Sequence, residues 1–305
     1  MITEQCKNKQ GRPTALLFIN QKARNGDSST SYVNQLLQAH GIAVIEPGAQ
    51  DSGTSGDIIR AHANDVDFVI IGGGDGTLNA AAQALVDTGL PLGVLPLGTA
   101  NDFARTLDIP KDLKQAVQII ADGYLRSIDL GEVNGHLFFN VSSIGFSAAL
   151  ARGLSAESKK RWGTLGYALA AFKLLKQSRP FRAEIEHDGV RERVRTVQVS
   201  VGNGRFYGGG MTVEQTAAPD DGRLDVYSLE VSHWWEIIAL VPFLRRGTHG
   251  RWRKVRAFSA TRLTLHTAKP HDINADGELV GKTPAIFTLK ARAIRVFSPQ
   301  KTAAN

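Results

Sequence analysis

Six residues, Gly72-Gly73-Gly74-Asp75-Gly76-Thr77, stand where an apolar run (DFVII, 67–71) gives way to an Ala-rich segment. A glycine run at a strand-to-helix turn lets backbone N–H groups approach a phosphate closely, and the helix N-terminus behind it adds partial positive charge. A second glycine loop, Pro96-Leu97-Gly98-Thr99-Ala100-Asn101-Asp102-Phe103-Ala104-Arg105, follows the next apolar run. It too lies beyond the end of a parallel strand, where open α/β sheets bind ligands. Together the loops point to phosphate chemistry, although Asn101 or Asp102 would also serve as an ordinary helix cap. Two standard phosphate motifs are excluded. Gly281-Lys282-Thr283 is preceded by Gly277, one residue too near for a Walker A loop, and Gly72, Gly74 and Thr77 lack the third glycine of the dinucleotide fingerprint.

The elements that must position these loops alternate regularly. Apolar runs predict strands over 14–20, 42–46, 67–71 and 92–95, and helical spacing predicts helices over 31–40, 57–64 and 77–86. This β-α-β order implies an α/β N-terminal domain, a parallel sheet flanked by helices. After about residue 128 the texture changes to short alternating runs (137–141, 182–187, 193–201, 224–230, 262–267, 287–290). Asn134-Gly135, Asp188-Gly189, Asp221-Gly222 and Asp276-Gly277 supply turn signals between them. The expected second domain is β-rich and antiparallel, with helices over 163–176 and 232–244. The boundaries read as 1–127, with 292–305 joining it or the other domain, and 128–291.

Composition narrows the function classes. The 305 residues carry 36 Lys+Arg against 29 Asp+Glu, a net charge of +7, with 42% hydrophobic residues. Such a chain buries enough surface to fold, so intrinsic disorder is excluded. The single Cys6 excludes a disulfide framework and cysteine-based metal sites. The longest apolar stretch, 237–244, is far short of the roughly 20 residues of a spanning helix, and the first ten residues hold no signal-peptide run. The expectation is a cytoplasmic protein. Its positive charge suits phosphates or an anionic lipid surface, whereas no nucleic-acid-binding signature appears and no nucleic acid is expected as a partner.

GGGDGT followed one strand later by PLGTANDFAR resembles the diacylglycerol kinase catalytic family, in particular its bacterial soluble lipid kinases. Sphingosine and ceramide kinases belong to the same group, and NAD kinases share the GGDGT loop. Asn20 is similar to the family's Asn-Pro-x-(Ser/Ala)-Gly loop, with Gln21 in place of Pro. Phe138, Asn140, Ser143 and Gly145 fit F-x-N-x-x-S-x-G. Gly202-Asn203, Gly208-Gly209-Gly210, Ala217 and Asp220-Asp221-Gly222-Arg223-Leu224-Asp225 fit G-N, G-G-G, A and D-D-G-x-L-D, and Asp276-Gly277-Glu278 fits D-G-E.

The resemblance implies an ATP- and Mg²⁺-dependent lipid kinase that transfers the γ-phosphoryl group to the hydroxyl of a diacylglycerol-like lipid. ATP would lie on Asn20, Ser52 (or Thr54), Gly73, Gly74, Asp75, Gly76, Thr77, Leu78, Asn79, Ala80, Gly98 and Thr99. Ala80 stands where the family has Glu. Asp75 would face Mg²⁺. In the family the D-G-E segment faces the nucleotide domain, so Asp276 or Glu278 would be the base that takes the hydroxyl proton; the residues alone do not choose, and Asp276-Gly277 is also a good hairpin dipeptide. A second, structural cation would sit on the D-D-G turn, on the Asp221 side chain and the carbonyls of Ala218 and Arg223.

The stretch 233–256 combines Trp234, Trp235, Ile238, Val241 and Phe243 with Arg245, Arg246, Arg251, Arg253, Lys254 and Arg256. It suits peripheral contact with the inner membrane face, with Lys159, Lys160, Arg161 and Trp162 on the same side, and equally suits a packed helix followed by a solvated basic loop. A homodimer is compatible with the sequence. Two other functions stand beside the lipid kinase: a kinase of another alcohol (a sphingoid base, phosphatidylglycerol or NAD) and a catalytically silent nucleotide- or lipid-binding regulator. NAD kinases lack PLGTANDFA and D-D-G-x-L-D, which sets this chain apart from them.

Overall fold

A computed structural model describes residues 12–20, 26–48, 51–153, 176, 178–207, 211–212, 218–246, 248 and 252–300. The chain divides into two compact units, Met1–Asp129 with Ala291–Asn305, and Leu130–Lys290. The helix expected over 163–176 (save Lys176), the basic run 159–162, Cys6, Gln21, Gly208–Gly210, Ala217 and Arg251 lie outside the described residues.

The first unit contains β1 (Thr14–Ile19), α1 (Gly26–Ala39), β2 (Ala43–Ile45), α2 (Ser55–Ala61), β3 (Phe68–Gly73) and α3 (Asp75–Thr88). It continues with β4 (Leu92–Pro96), α4 (Asp102–Thr106) and α5 (Leu113–Asp122), and β5 (Leu125–Val133) leads out of it. Its sheet runs β2-β1-β3-β4, all parallel. Every residue of β3 and β4 is buried, which is why their sequences are continuous apolar runs rather than alternating ones. The last strand of the chain returns here: Val296 pairs in parallel with Leu92, and Phe297 meets Phe68 edge-on at 5.1 Å.

Local chemistry sets the helix ends. Thr54 caps α2 in a reciprocal box with Asp57, Asp112 caps α5 by accepting the N–H of Gln115, and Gly89 and Gly123 close α3 and α5 in the left-handed region. Helix α3 begins at Asp75, two residues earlier than the expected 77, so half of the glycine motif is its first turn.

The second unit contains β6 (His136–Phe138), β7 (Val141–Gly145), α6 (Phe146–Gly153), β8 (Phe181–His187), β9 (Val190–Thr196), β10 (Gln198–Gly202), β11 (Phe206–Tyr207) and β12 (Met211–Thr212). There follow β13 (Leu224–Leu229), α7 (Trp234–Arg246), β14 (Val255–Ala260), β15 (Arg262–Thr267), β16 (Asp272–Ala275), β17 (Glu278–Lys282) and β18 (Ala285–Phe297), whose end from Ala291 belongs to the first unit. One sheet runs β14-β13-β10-β7-β16-β17, and a second set runs β18-β15-β8-β9; every pairing within both is antiparallel. The expected run 193–201 is two strands, because Thr196 ends β9: its hydroxyl donates to the Gln198 carbonyl and accepts the Gln198 N–H. Asn134-Gly135, Asp188-Gly189 and Asp276-Gly277 all have positive φ at both residues, the conformation of a type I′ hairpin turn; in Asp221-Gly222 only the glycine does.

His271 stacks on Phe181, ring centroids 4.1 Å apart, and burial holds its imidazole below the ordinary value. The folded state therefore resists a proton that the unfolded chain accepts from about pH 6.5. Stability should be full above that pH and fall as the pH drops through the depressed value. Denaturant titrations at neutral and mildly acidic pH should show a shallower loss for His271→Phe, which keeps the stack and removes the titration.

Candidate functional site

In the first unit, two loops leave the C-terminal ends of the adjacent parallel strands β3 and β4 and are knitted together by backbone. The Gly73 carbonyl accepts N–H bonds from Leu97 (3.2 Å) and Gly98 (3.1 Å). A Cβ on Gly98 would lie 2.4 Å from the Gly74 Cα, and one on Gly73 would lie 2.7 Å from the Thr77 side chain. Both loops must therefore be glycine at these points for the contact to exist.

Asp75 adds a second stitch. Its two carboxylate oxygens accept the N–H groups of Asp102 (3.1 Å) and Phe103 (3.0 Å) at the start of α4. Asn101, in the left-handed region, donates its amide to the carbonyls of Pro96 (3.2 Å) and Gly98 (2.9 Å). Asn20, at the end of β1, donates its amide to the Thr77 hydroxyl (3.1 Å) and its backbone N–H to Gly72. Strands β1, β3 and β4 thus each contribute to one small region.

Phosphate groups fit this region. The residue before α3 is Gly74, which offers no side-chain cap, so the first-turn donors of α3 have no side-chain acceptor. The Asn79 and Asn101 side-chain oxygens are buried without hydrogen-bond partners. Gly76, Thr99 and Ala80 are exposed, Gly73 and Leu78 are buried, and Gly74, Asp75, Thr77 and Gly98 are half-buried. A divalent cation carried by the phosphates also fits, because each Asp75 oxygen accepts one N–H bond and keeps a lone pair. Of the two hydroxyls before α2, that of Thr54 is committed to Asp57 (2.7 Å), which leaves exposed Ser52 as the better-placed donor.

In the second unit, Asp276 occupies the β16–β17 turn at φ 46°, and its carboxylate accepts three backbone N–H bonds: from Phe139 (2.6 Å), Asn140 (3.0 Å) and Val141 (3.0 Å). The same backbone stretch is held from the other side, because the Asn140 carbonyl accepts the N–H groups of Asn203 and Gly204, and the Asn203 amide donates to the Phe139 carbonyl. Three sequence motifs far apart in the chain therefore converge on one carboxylate. Two residues on, Glu278 opens β17 and is exposed. Half-buried Asp276 is thus engaged in holding backbone, whereas Glu278 is exposed to solvent.

On the D-D-G turn the Asp221 and Ala218 oxygens expected to hold a structural cation already take part in local bonds. The Asp221 carboxylate accepts the N–H groups of Ala218 (3.3 Å) and Arg223 (3.2 Å), and the Arg223 guanidinium lies 3.2 Å from it. The Ala218 carbonyl accepts the Asp221 N–H. An arginine thus stands on the carboxylate that a structural cation would use. Among the described residues no group of three His, Cys, Asp or Glu side chains could hold a metal ion.

Sequence reasoning missed Asn101 as the residue that shapes the second loop, and Asn203 behind the Asp276 turn. The first was legible as an Asn-Asp pair before a helix. The second emerges only when β7 and β10 pair.

Comparison with known proteins follows the same division of the chain. Residues 14–133 match the diacylglycerol kinase catalytic domain, and residues 140–298 match the YegS C-terminal NAD kinase beta sandwich-like domain. The chain is 30% identical to a diacylglycerol kinase of Bacillus subtilis over 279 residues, covering 89% of this chain and 92% of the relative. It is 35% identical to a "Probable lipid kinase YegS-like" of Pseudomonas savastanoi, over 76% of this chain and 75% of the relative. A crystal structure of a diacylglycerol kinase from Bacillus anthracis superposes with a TM-score of 0.75 at 25% identity, covering 95% and 98% of the two chains.

The two acidic turns respond differently to substitution. Asp276→Asn turns an N–H donor toward backbone donors and should destabilise the fold by about 1–3 kcal/mol in denaturant titrations. Glu278→Gln, at an exposed site, should stay within about 0.5 kcal/mol of the parent. Gly98→Ala should force the two loops apart and weaken binding of a fluorescent ATP analogue more than tenfold, about 1.4 kcal/mol.

Proposed function

We propose, from the premise that this chain belongs to the diacylglycerol kinase family of phosphotransferases acting on an alcohol group, that it is an ATP- and Mg²⁺-dependent kinase of a diacylglycerol-like lipid. The observation that carries the phosphoryl-transfer reading is the pair of glycine loops locked backbone to backbone at the strand ends, with the uncapped start of α3 beside them. The lipid acceptor is supported by the relatives, among them diacylglycerol kinases and a lipid kinase.

On this reading the polyphosphate lies against the N–H groups of Asp75 and Gly76, where the helix partial charge and backbone donors favour it. Asn20 fixes the Thr77 hydroxyl and Asn101 fixes the second loop, so Thr99 meets the nucleotide from a rigid base. Mg²⁺, when bound, neutralises the phosphate charge, and the unused lone pairs of Asp75 would orient it. Glu278 accepts the proton of the lipid hydroxyl as that oxygen attacks the γ-phosphorus and the bond to the ADP oxygen breaks. Asp276 positions the turn that carries Glu278 and takes no proton. Ala80, in the second turn, leaves Asp75 as the only acidic side chain in the first two turns of α3.

Transfer from γ-labelled ATP should be measured with Mg²⁺ in mixed micelles of diacylglycerol, monoacylglycerol, sphingosine, ceramide or phosphatidylglycerol, with NAD as soluble control. The expected result is labelled diacylglycerol, reduced by about 10²-fold or more in Glu278→Gln. Label in sphingosine or phosphatidylglycerol alone would move the acceptor to that lipid, and label in NAD alone would overturn the lipid reading. Unchanged transfer in Glu278→Gln would remove it as the base. ATP binding with no transfer to any acceptor would favour a silent regulator.

A further inference from the structure

Helix α7 is apolar on both sides, and its own unit covers only one. The inner side carries Ile237 and Leu240, buried in a cluster with Tyr227, Leu229 and Val255; Trp234 packs against the same cluster. Glu236 also turns inward, 3% exposed, where Lys254 Nζ donates to it at 2.6 Å and the His233 backbone N–H at 3.2 Å. Burial works against its charge, but the bonds from Lys254 and His233 and the lysine's charge outweigh that and hold its carboxyl below the ordinary glutamate range.

The outer side has Trp235 (56% exposed), Ile238 (44%) and Phe243 (36%), with Ala239 and Pro242 exposed along the same stripe at helical spacing. Eight large hydrophobic side chains are exposed among the described residues, and three of them are on this one helix of 13 residues. Scattered apolar residues need no explanation, but a contiguous patch does. Phe243 extends the patch by meeting Trp252, ring centroids 5.3 Å apart.

Among the described residues, the exposed charged side chains at the end of this helix and just after Trp252 are basic. Exposed Arg245 and Arg246 end the helix, and exposed Arg253 and Lys254 follow Trp252. The only acidic residue of α7 is Glu236, which is inside and paired. An apolar stripe with an aromatic residue at one end and two arginines at the other is the pattern that seats in the interface of an anionic bilayer. A second copy of this chain would bring arginines toward arginines, which an anionic surface does not.

We infer that the outer face of α7 docks the protein on an anionic membrane surface, with Trp235, Ile238 and Phe243 entering the interface and Arg245 and Arg246 meeting the headgroups. The inference deepens the lipid-kinase reading, and its vesicle assay contains neither ATP nor a candidate acceptor lipid, so the two can fail separately. The full chain is sedimented with vesicles of phosphatidylcholine containing about one-third phosphatidylserine, and with pure phosphatidylcholine. The parent should bind the anionic vesicles, its tryptophan emission should be quenched by brominated lipid, and binding should weaken as salt is raised. Removing charge in Arg245→Gln and Arg246→Gln should weaken binding about fivefold each. The double variant Trp235→Ser, Ile238→Ser should weaken it by roughly tenfold or more. Ile286→Ser, an equally exposed apolar residue on β18, should leave binding unchanged. Unfolding midpoints of all variants confirm that they fold, and transfer to a water-soluble short-chain diacylglycerol reads the kinase reaction independently. Absence of parent binding, or equal binding by all variants, overturns the inference. So does a concentration-dependent dimer, without vesicle binding, that the Trp235→Ser, Ile238→Ser variant abolishes, since this would give the face to a second copy.

Discussion

The contact between the backbones of Gly74 and Gly98 is the constraint on which the nucleotide half of the molecule depends. Two peptide segments can come that close only where neither carries a Cβ, and the Gly73 carbonyl then reaches two N–H groups of the neighbouring loop. Packing the loops this tightly leaves no room for a side chain to cap α3. Of the N–H groups at its start, that of Thr77 turns back to the Gly74 carbonyl, and no cap side chain meets the others. Asp75 does not fill that role, because both its oxygens point across to the start of α4. The same carboxylate that looks catalytic in the sequence also fastens the second loop to the first.

Asp276 repeats this logic in the second unit. A carboxylate surrounded by three backbone donors resembles a bound anion, and here the anion is part of the chain. It ties the segment before β7 to a hairpin more than 130 residues later. The left-handed turn at Asp276-Gly277 then delivers Glu278 to the surface in a fixed place. Hairpin and functional readings of D-G-E are therefore compatible, since on the proposed mechanism the turn carries the neighbouring carboxylate. Asp221 is a third case, with its charge met by Arg223 and two N–H groups. Carboxylates in this fold serve first as acceptors for irregular backbone.

Much of this was legible in the sequence, and the exceptions have physical causes. Continuous apolar runs marked β1, β3 and β4 because strands buried on both faces must read that way. The Asn-Gly and Asp-Gly pairs marked hairpins because few residues tolerate two successive positive φ values. Helix α5 was not picked out, although Asp112, Gly123 and the spacing of Leu113, Val117 and Ile120 are its signals; it is only ten residues long and stands close between α4 and β5. The run 193–201 looked like one strand because a Thr side chain, not a Gly or Pro, ends β9. The choice between Asp276 and Glu278 was illegible, since it depends on which of them meets the N–H groups of residues 139–141.

The tryptophan pair at 234–235 shows how a fold decides what a sequence leaves open. Adjacent helical residues point about 100° apart, so only one of the two can face the cluster under α7. The rotation seen also brings Glu236 to Lys254. Burying that carboxylate without a partner would be costly, and the His233 N–H, at the same end of the helix, meets it whichever way the helix turns. The rotation seen turns Trp234 inward and Trp235 outward, and it carries Ile238, Pro242 and Phe243 to the surface as a single stripe. A helix held only by Ile237 and Leu240 could rotate to hide more of its apolar side chains. Helix α7 instead holds Glu236 on a half-exposed lysine with the apolar stripe outward, which is the arrangement the proposed membrane contact requires.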